Sequence, residues 1–243
     1  MTYGLISDIH GNLEALTAAL AELAGVDAFL CLGDIVGYGP DPAACVDRIR
    51  EQPHLTCIAG NHDLAALDHY DLKWFNRYAL QAIEWTKSQL SADQTAYLTP
   101  LQETAQLDDT FLVHGSLPEH MDYITNVDRA MDCFDAMSGS LCLVGHTHVA
   151  EYYANRPGSR VCKQVSLLAG GEIVLEPGVR YIVNPGAIGQ PRDGNPAASC
   201  GIYDTEARTL TIRRVSYAVS VVQEKMRRVG LPENLADRLT FGR

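Results

Sequence analysis

A chain of 243 residues, 47% hydrophobic and 20% charged, has an ordinary globular composition and length enough for a sizeable core. No run approaches the ~18 apolar residues of a membrane span, and a net charge of -11 disfavours nonspecific binding to duplex nucleic acid or anionic lipid. Met1-Thr2-Tyr3-Gly4 leads straight into a first strand without room for a signal peptide. The seven cysteines are odd in number and hold no Cys-x-x-Cys pair, so a reducing, cytoplasmic setting is the expectation.

Tyr3-Gly4-Leu5-Ile6-Ser7 reads as a short buried strand that delivers Asp8-Ile9-His10. Asn12 can cap a helix whose Leu13, Leu16, Leu20 and Leu23 fall at helical spacing. Phe29-Leu30-Cys31-Leu32 is a second strand, stopping at Gly33-Asp34 and followed by Gly37, Gly39 and Pro40, so the chain leaves the sheet sharply. A carboxylate there is a poor core residue and a good functional one. Asp41-Pro42 supplies an N-cap and an N1 proline for a helix to about Glu51. Leu55-Thr56-Cys57-Ile58-Ala59 then leads to Gly60-Asn61-His62-Asp63, completing the β-α-β-α-β order of a layered α/β fold. From Leu64 to Leu98 the reading is helical, with Trp74, Tyr78, Ile83 and Trp85 as bulky packing and Ser91-Ala92-Asp93-Gln94 as a capping box.

The second half is rich in strands. Asp108-Asp109 reads as a hairpin turn, Thr110-Phe111-Leu112-Val113 leads to His114, and Asp128 to Met137 reads as a helix. Leu141-Cys142-Leu143-Val144 leads to Gly145-His146-Thr147-His148. Strands follow around Val149–Ala154, Val161–Leu168, Glu172–Leu175, Val179–Val183, Ser199–Asp204 and Thr209–Ser216, separated by turn signals such as Gly170-Gly171 and Pro177-Gly178. Val219 to Val229 reads as helix, with a Gly230 stop and a short turn from Pro232. A βα half followed by a β-rich half suggests two packed sheets flanked by helices, and with no linker or repeat the chain reads as one domain, 1–243.

Strand ends thus collect Asp8, His10, Asp34, Asn61, His114, His146 and His148. Imidazole mixed with carboxylate and amide oxygen suits Mn, Fe, Zn, Co or Ni; an all-oxygen shell would suit Mg or Ca. Seven donors exceed one tetrahedral site and fit two larger ones sharing Asp34. Two divalent cations on two carboxylates would leave the site positive despite the acidic chain, so an anionic substrate is admissible.

Asp-x-His, Gly-Asp-x-x-Gly, Gly-Asn-His-Asp, a lone His and Gly-His-x-His, in that order from Ile6 to His148, resemble the calcineurin-like metallophosphoesterases. Gly33–Pro42 and Asn184–Pro196 further resemble the small prokaryotic phosphodiesterase branch. The resemblance implies a four-layer α/β/β/α sandwich of two mixed sheets flanked by helices. It implies one metal on Asp8, His10, Asp34 and His148, another on Asp34, Asn61, His114 and His146, and manganese as the first expectation for both. The implied reaction is hydrolysis of a small phosphate ester, nucleotide-like esters included, by in-line attack of a metal-bound hydroxide. A phosphodiester is favoured, and His62 faces the leaving-group oxygen as general acid. The alternatives are a phosphomonoesterase (protein phosphatase or nucleotidase) and a dinucleoside polyphosphate hydrolase. A non-catalytic protein-binding scaffold is disfavoured by the complete ligand set. Three further residues are candidate substrate contacts: Asn12, otherwise an N-cap; Tyr38, otherwise a cap on its own loop; and Arg192, a planar phosphate clamp unless a surface salt bridge holds it. Asp63 reads as an acceptor that holds its loop or orients His62, and His54, His69 and His120 as ordinary polar residues.

Overall fold

Two six-stranded sheets frame the protein in a computed structural model that describes Met1–Arg243. In the first, β1 (Thr2–Ile6), β2 (Ala28–Cys31) and β3 (Leu55–Cys57) run parallel. Helices α1 (Leu13–Glu22) and α2 (Pro42–Arg50) make the crossovers. The second sheet contains the hairpin β4 (Thr104–Leu107) and β5 (Thr110–Val113), turning at Asp108-Asp109, and β6 (Leu141–Leu143), parallel to β5. It is extended by β7 (Ala150–Asn155) and β8 (Cys162–Ser166). The chain then crosses between sheets. Strand β9 (Gly171–Val174) edges the first sheet, β10 (Arg180–Pro185) enters the second between β6 and β7, and β11 (Ala198–Asp204) and β12 (Thr209–Val215) return to the first beside β1. Both sheets are mixed, as expected.

Alternation along each strand builds the layers. Leu5, Leu30 and Ile58 of the first sheet meet Leu112, Leu141, Leu143 and Val183 of the second in a core between the sheets. Their neighbours Ile6 and Cys31 point outward onto Leu16, Leu20, Val46 and Ile49 of α1 and α2. On the other side Val113 and Cys142 pack on Ala130, Cys133 and Phe134 of α6 (Val127–Ala136). The result is an α/β/β/α sandwich, and no helix is long and apolar enough to cross a membrane.

The stretch from Leu64 to Leu98 is more broken than its pattern suggests. Helix α3 (Asn61–Ala66) already begins at Asn61, a 3₁₀ turn occupies Leu72–Trp74, and α4 (Arg77–Gln89) and α5 (Ala92–Leu98) follow. The expected Ser91/Gln94 capping box is present. Trp74 does not pack as expected: it is 72% exposed, because the 3₁₀ turn capped by Asp71 sets it off the apolar face of α4. Asp41 stands at the N-terminus of α2 without making a cap bond; its carboxylate takes the Lys225 ammonium at 2.8 Å instead. That contact ties α2 to α7 (Val219–Arg228), which with α8 (Glu233–Asp237) packs on α4 and Tyr38.

Candidate metal centre

The carboxyl ends of β1, β2, β3, β5 and β6 meet at one rim, and each turns sharply there. Asp8, His10, Asp34, His146 and His148 have φ between 48° and 67°, in the left-handed region. Such a conformation costs an L-residue with a side chain on the order of 1–2 kcal/mol. It persists only where the surroundings over-determine it, which is common at active sites. Here they do: Asp8 N donates to Gly33 O at 3.1 Å, His10 N to Asp34 O at 2.9 Å, and Gly145 N to His114 O at 2.8 Å. Asp63, fully buried, accepts from Asp34 N at 2.8 Å, Gly60 N at 3.0 Å and Val36 N at 3.1 Å, pinning two ligand loops together.

Asp8, His10, Asp34 and His148 each place a donor atom within 4.8 Å of one another, and Asp34, His114 and His146 form a second such group. Asp34 belongs to both. Its Oδ2 lies 3.5 Å from His10 Nε2 and 3.2 Å from His114 Nε2, while His148 Nε2 lies 3.3 Å from Asp8 Oδ1. Backbone carbonyls hold the far side of three imidazoles. His10 Nδ1 is 3.1 Å from Val36 O, His114 Nδ1 2.7 Å from Leu32 O, and His148 Nδ1 2.6 Å from Gln190 O. Assigning the proton to Nδ1 satisfies each carbonyl and leaves each Nε2 lone pair facing the cluster, the arrangement that suits a metal ligand.

Asp34 Oδ2, Asn61 Oδ1 and His114 Nε2 are buried with no hydrogen-bond partner. Each such group costs about 1–3 kcal/mol, and a cation would satisfy all three. The donor set, nitrogen and oxygen without sulfur, therefore fits two divalent transition-metal ions. The charges also require one another. Burial and the Asp34 carboxylate raise Asp8 to about 6, against the pull of His114. Burial opposes the His114 imidazolium, but Asp34 and Asp8 together push it up to about 10, so a cation held at this site would take the place of the Nε2 proton that these carboxylates otherwise retain. Burial drives His10, His146 and His148 well below the ordinary imidazole value, leaving neutral nitrogens.

His62 lies in neither group. Its backbone N donates to Asp34 Oδ1 at 2.8 Å, and its ring sits 4.7 Å from His10, 4.4 Å from Tyr38 and 4.9 Å from Phe75. Burial lowers its pKa to about 4, with Asp34 opposing. Asn12 has both ends of its amide engaged: Oδ1 accepts from Ala15 N at 3.1 Å and Nδ2 donates to Gly189 O at 2.9 Å. Tyr38 is buried against His10 and α7. Arg192 has no carboxylate partner; its guanidinium lies 5.6 Å from the Tyr38 ring centroid, donates to Gln190 Oε1 at 3.0 Å, and keeps a buried Nε unpartnered. Two contributors escape a sequence reading. Tyr123 stacks on His146 at 3.8 Å, from a loop without periodicity. Gln190 serves His148 and Arg192 at once, and only its place inside the Asn184–Pro196 stretch hints at a role.

Gly60 shows how tightly the rim is built. A Cβ there would overlap the Asp34 carboxylate and backbone nitrogen, neither of which has room to retreat. Gly60→Ala is expected to leave the far-ultraviolet circular dichroism unchanged while lowering bound metal below two per chain. Full metal content in the folded variant would show that Asp34 can move.

A sandwich of this layering, with this rim of nitrogen and oxygen donors at the strand ends, defines a metallophosphoesterase. Residues 1–208 match the calcineurin-like phosphoesterase superfamily domain, and the chain belongs to that superfamily, whose members hydrolyse phosphoric esters. It is 41% identical to a metallophosphoesterase from Sphaerobacter thermophilus, whose crystal structure superposes with a TM-score of 0.90 over 100% of this chain and 99% of that one. It is 37% identical to the uncharacterized protein MJ0912 of Methanocaldococcus jannaschii, over 98% of this chain and 97% of the relative. Phosphodiesterase YfcE of Escherichia coli is 26% identical over 82% of this chain and 85% of its own length.

Proposed function

We propose that this protein hydrolyses a small phosphodiester with two divalent cations, one held by Asp8, His10, Asp34 and His148 and the other by Asp34, Asn61, His114 and His146. The observation that carries this reading is Asp34, which stands in both donor groups with Oδ2 unpartnered. When bound, the cations supply the positive charge that acidifies water and stabilises the phosphoryl oxygens. The chain supplies the rest. Carbonyls of Val36, Leu32 and Gln190 fix the imidazoles, and Asp63 fixes the loops that carry Asp34 and Asn61.

Arg192, free of any carboxylate, offers its fork to a non-bridging phosphoryl oxygen. His62 is neutral at pH 7 in its buried site. An anionic phosphate beside it provides the counter-charge that lifts its pKa, so that the ring can hold a proton for the departing oxygen. Tyr38 walls off the same ring, and Asn12 acts as a brace between α1 and the 186–196 loop. Manganese as the native metal is compatible with the mixed donor set. Seven free cysteines agree with a cytoplasmic setting. The packing of α7 and α8 on α4 and Tyr38 supports one domain over residues 1–243.

The preference for a diester draws on the likeness to phosphodiesterase YfcE and on the Gly33–Pro42 and Asn184–Pro196 stretches. Manganese-loaded protein is expected to turn over bis(4-nitrophenyl) phosphate with a higher kcat/KM than 4-nitrophenyl phosphate. Faster cleavage of the monoester would transfer the assignment to a phosphatase.

A further inference from the structure

The four imidazoles of the two donor groups are not held alike. His10, His114 and His148 each turn Nδ1 to a backbone carbonyl, at 3.1, 2.7 and 2.6 Å. No protein acceptor meets either ring nitrogen of His146, although the residue is only 4% exposed and its hydrogen bonds run through the backbone alone. That backbone is fixed: His146 N donates to Asp8 Oδ1 at 3.1 Å and Oδ2 at 3.2 Å, and Asn184 Nδ2 donates to Gly145 O at 2.6 Å. Rotation of the ring about χ2 is a different matter, because that torsion has broad wells in histidine and settles nothing by itself. Packing restrains it instead. Tyr123 lies nearly flat against the ring, with centroids 3.8 Å and planes 18° apart, and His114 meets it at 4.8 Å and 58°.

The loop after His114 is built to hold Tyr123 there, between two anchored neighbours. Asp122 pairs with Arg129 of α6 at 3.3 Å, and its N donates to Glu119 O at 2.8 Å. Ile124, 3% exposed, is packed with Val113 and Phe134 in the core under α6. Gly115 N donates to His120 O at 2.7 Å, and a Cβ on Gly115 would lie 2.4 Å from Asp122 O, so the loop closes tightly on the strand end that carries His114. Tyr123 itself is 44% exposed and bonds only through its backbone N, to Asp122 Oδ1 at 3.0 Å. Neither burial nor its phenol accounts for where the ring sits. The face it shares with His146 does.

We propose that Tyr123 is the positioning residue of His146: its ring does for that imidazole what backbone carbonyls do for the other three, and the cation on Asp34, Asn61, His114 and His146 depends on it. This deepens the two-cation reading and rests on it. The two sites are then unequal. The group of Asp8, His10, Asp34 and His148 has both imidazoles clamped by carbonyls, whereas the other group has one clamped and one stacked. Stacking fixes the plane of a ring but not its rotation within that plane, and it supplies no hydrogen bond to raise the basicity of the ligating nitrogen. The His146 site therefore binds its cation more weakly and empties first when metal is withdrawn.

Calorimetric titration of the metal-free protein with manganese(II) tests this without reference to turnover. The parent should take up two ions in two steps. Tyr123→Ala and Tyr123→Leu should leave the tighter step unchanged and weaken the other by about tenfold, the lower end of the 10–100-fold cost of losing a group that orients a ligating imidazole. Tyr123→Phe, which keeps the flat ring and drops the hydroxyl, should restore the parent value. Asp122→Asn separates a lost stack from a loosened loop: it breaks the Arg129 pair, keeps the ring, and should leave both steps as in the parent. With cobalt(II), the visible absorption added by the second equivalent should change in Tyr123→Ala and not in Tyr123→Phe. No weakening in Tyr123→Ala, or an equal weakening in Tyr123→Phe or Asp122→Asn, overturns the inference while two bound ions leave the two-cation reading standing. A parent that saturates at one ion removes both.

Discussion

Asp34→Asn is expected to lower bound metal from two per chain toward zero and to reduce kcat/KM by more than about 10³-fold, since two cations supply several kcal/mol of charge stabilisation. The substitution keeps size and shape, and the remaining carbonyl oxygen can still accept from His62 N, now 2.8 Å from Asp34 Oδ1. The fold should therefore persist. What changes is the atom between the two groups. Oδ2 lies 3.5 Å from His10 Nε2 and 3.2 Å from His114 Nε2 with no partner of its own, and an amide there loses the charge that both cations share. Elemental analysis after loading and removal of excess metal measures the first effect, and initial rates on bis(4-nitrophenyl) phosphate the second. A variant that retains two metals per chain, or a parent protein that saturates at one with full activity, would remove Asp34 from the bridging position.

His62→Ala should behave in the opposite way, keeping both metals and losing rate. The ring belongs to neither donor group, and the backbone N–H that holds Asp34 is unaffected by truncating the side chain. For a diester with an alkoxide-like leaving group, removal of the general acid is expected to cost roughly 10²–10⁴-fold in kcat/KM. For 4-nitrophenolate, which departs without a proton, the loss should be much smaller. An equal loss on both leaving groups, with chemistry limiting, would assign His62 to electrostatic support of the phosphoryl group. Metal loss would make it a prop of the Gly60–Asp63 loop.

The residues of the rim were legible in the chain because a buried strand tolerates no unpaired charge. Polar residues after Ile6, Leu32, Ala59, Val113 and Val144 had to lie where the strands end, and their mixture of nitrogen and oxygen donors narrowed the chemistry to a transition-metal site. Local backbone devices were legible for the same reason: the Asn12 cap, the Ser91/Gln94 box and the Asp108-Asp109 turn depend on neighbours a few residues away. Only the tertiary structure decided that β10 enters between β6 and β7 and that β11 lies against β1 from some two hundred residues away, because strand pairing over that distance leaves no periodic trace. It also decided contacts between elements far apart in sequence: Asp41 to Lys225 in place of a helix cap, Arg192 without a carboxylate, and Tyr123 on His146. Trp74 marks the boundary. Its bulk predicted burial, and a 3₁₀ turn left it in solvent, where the fold places a cleft lined by carboxylates.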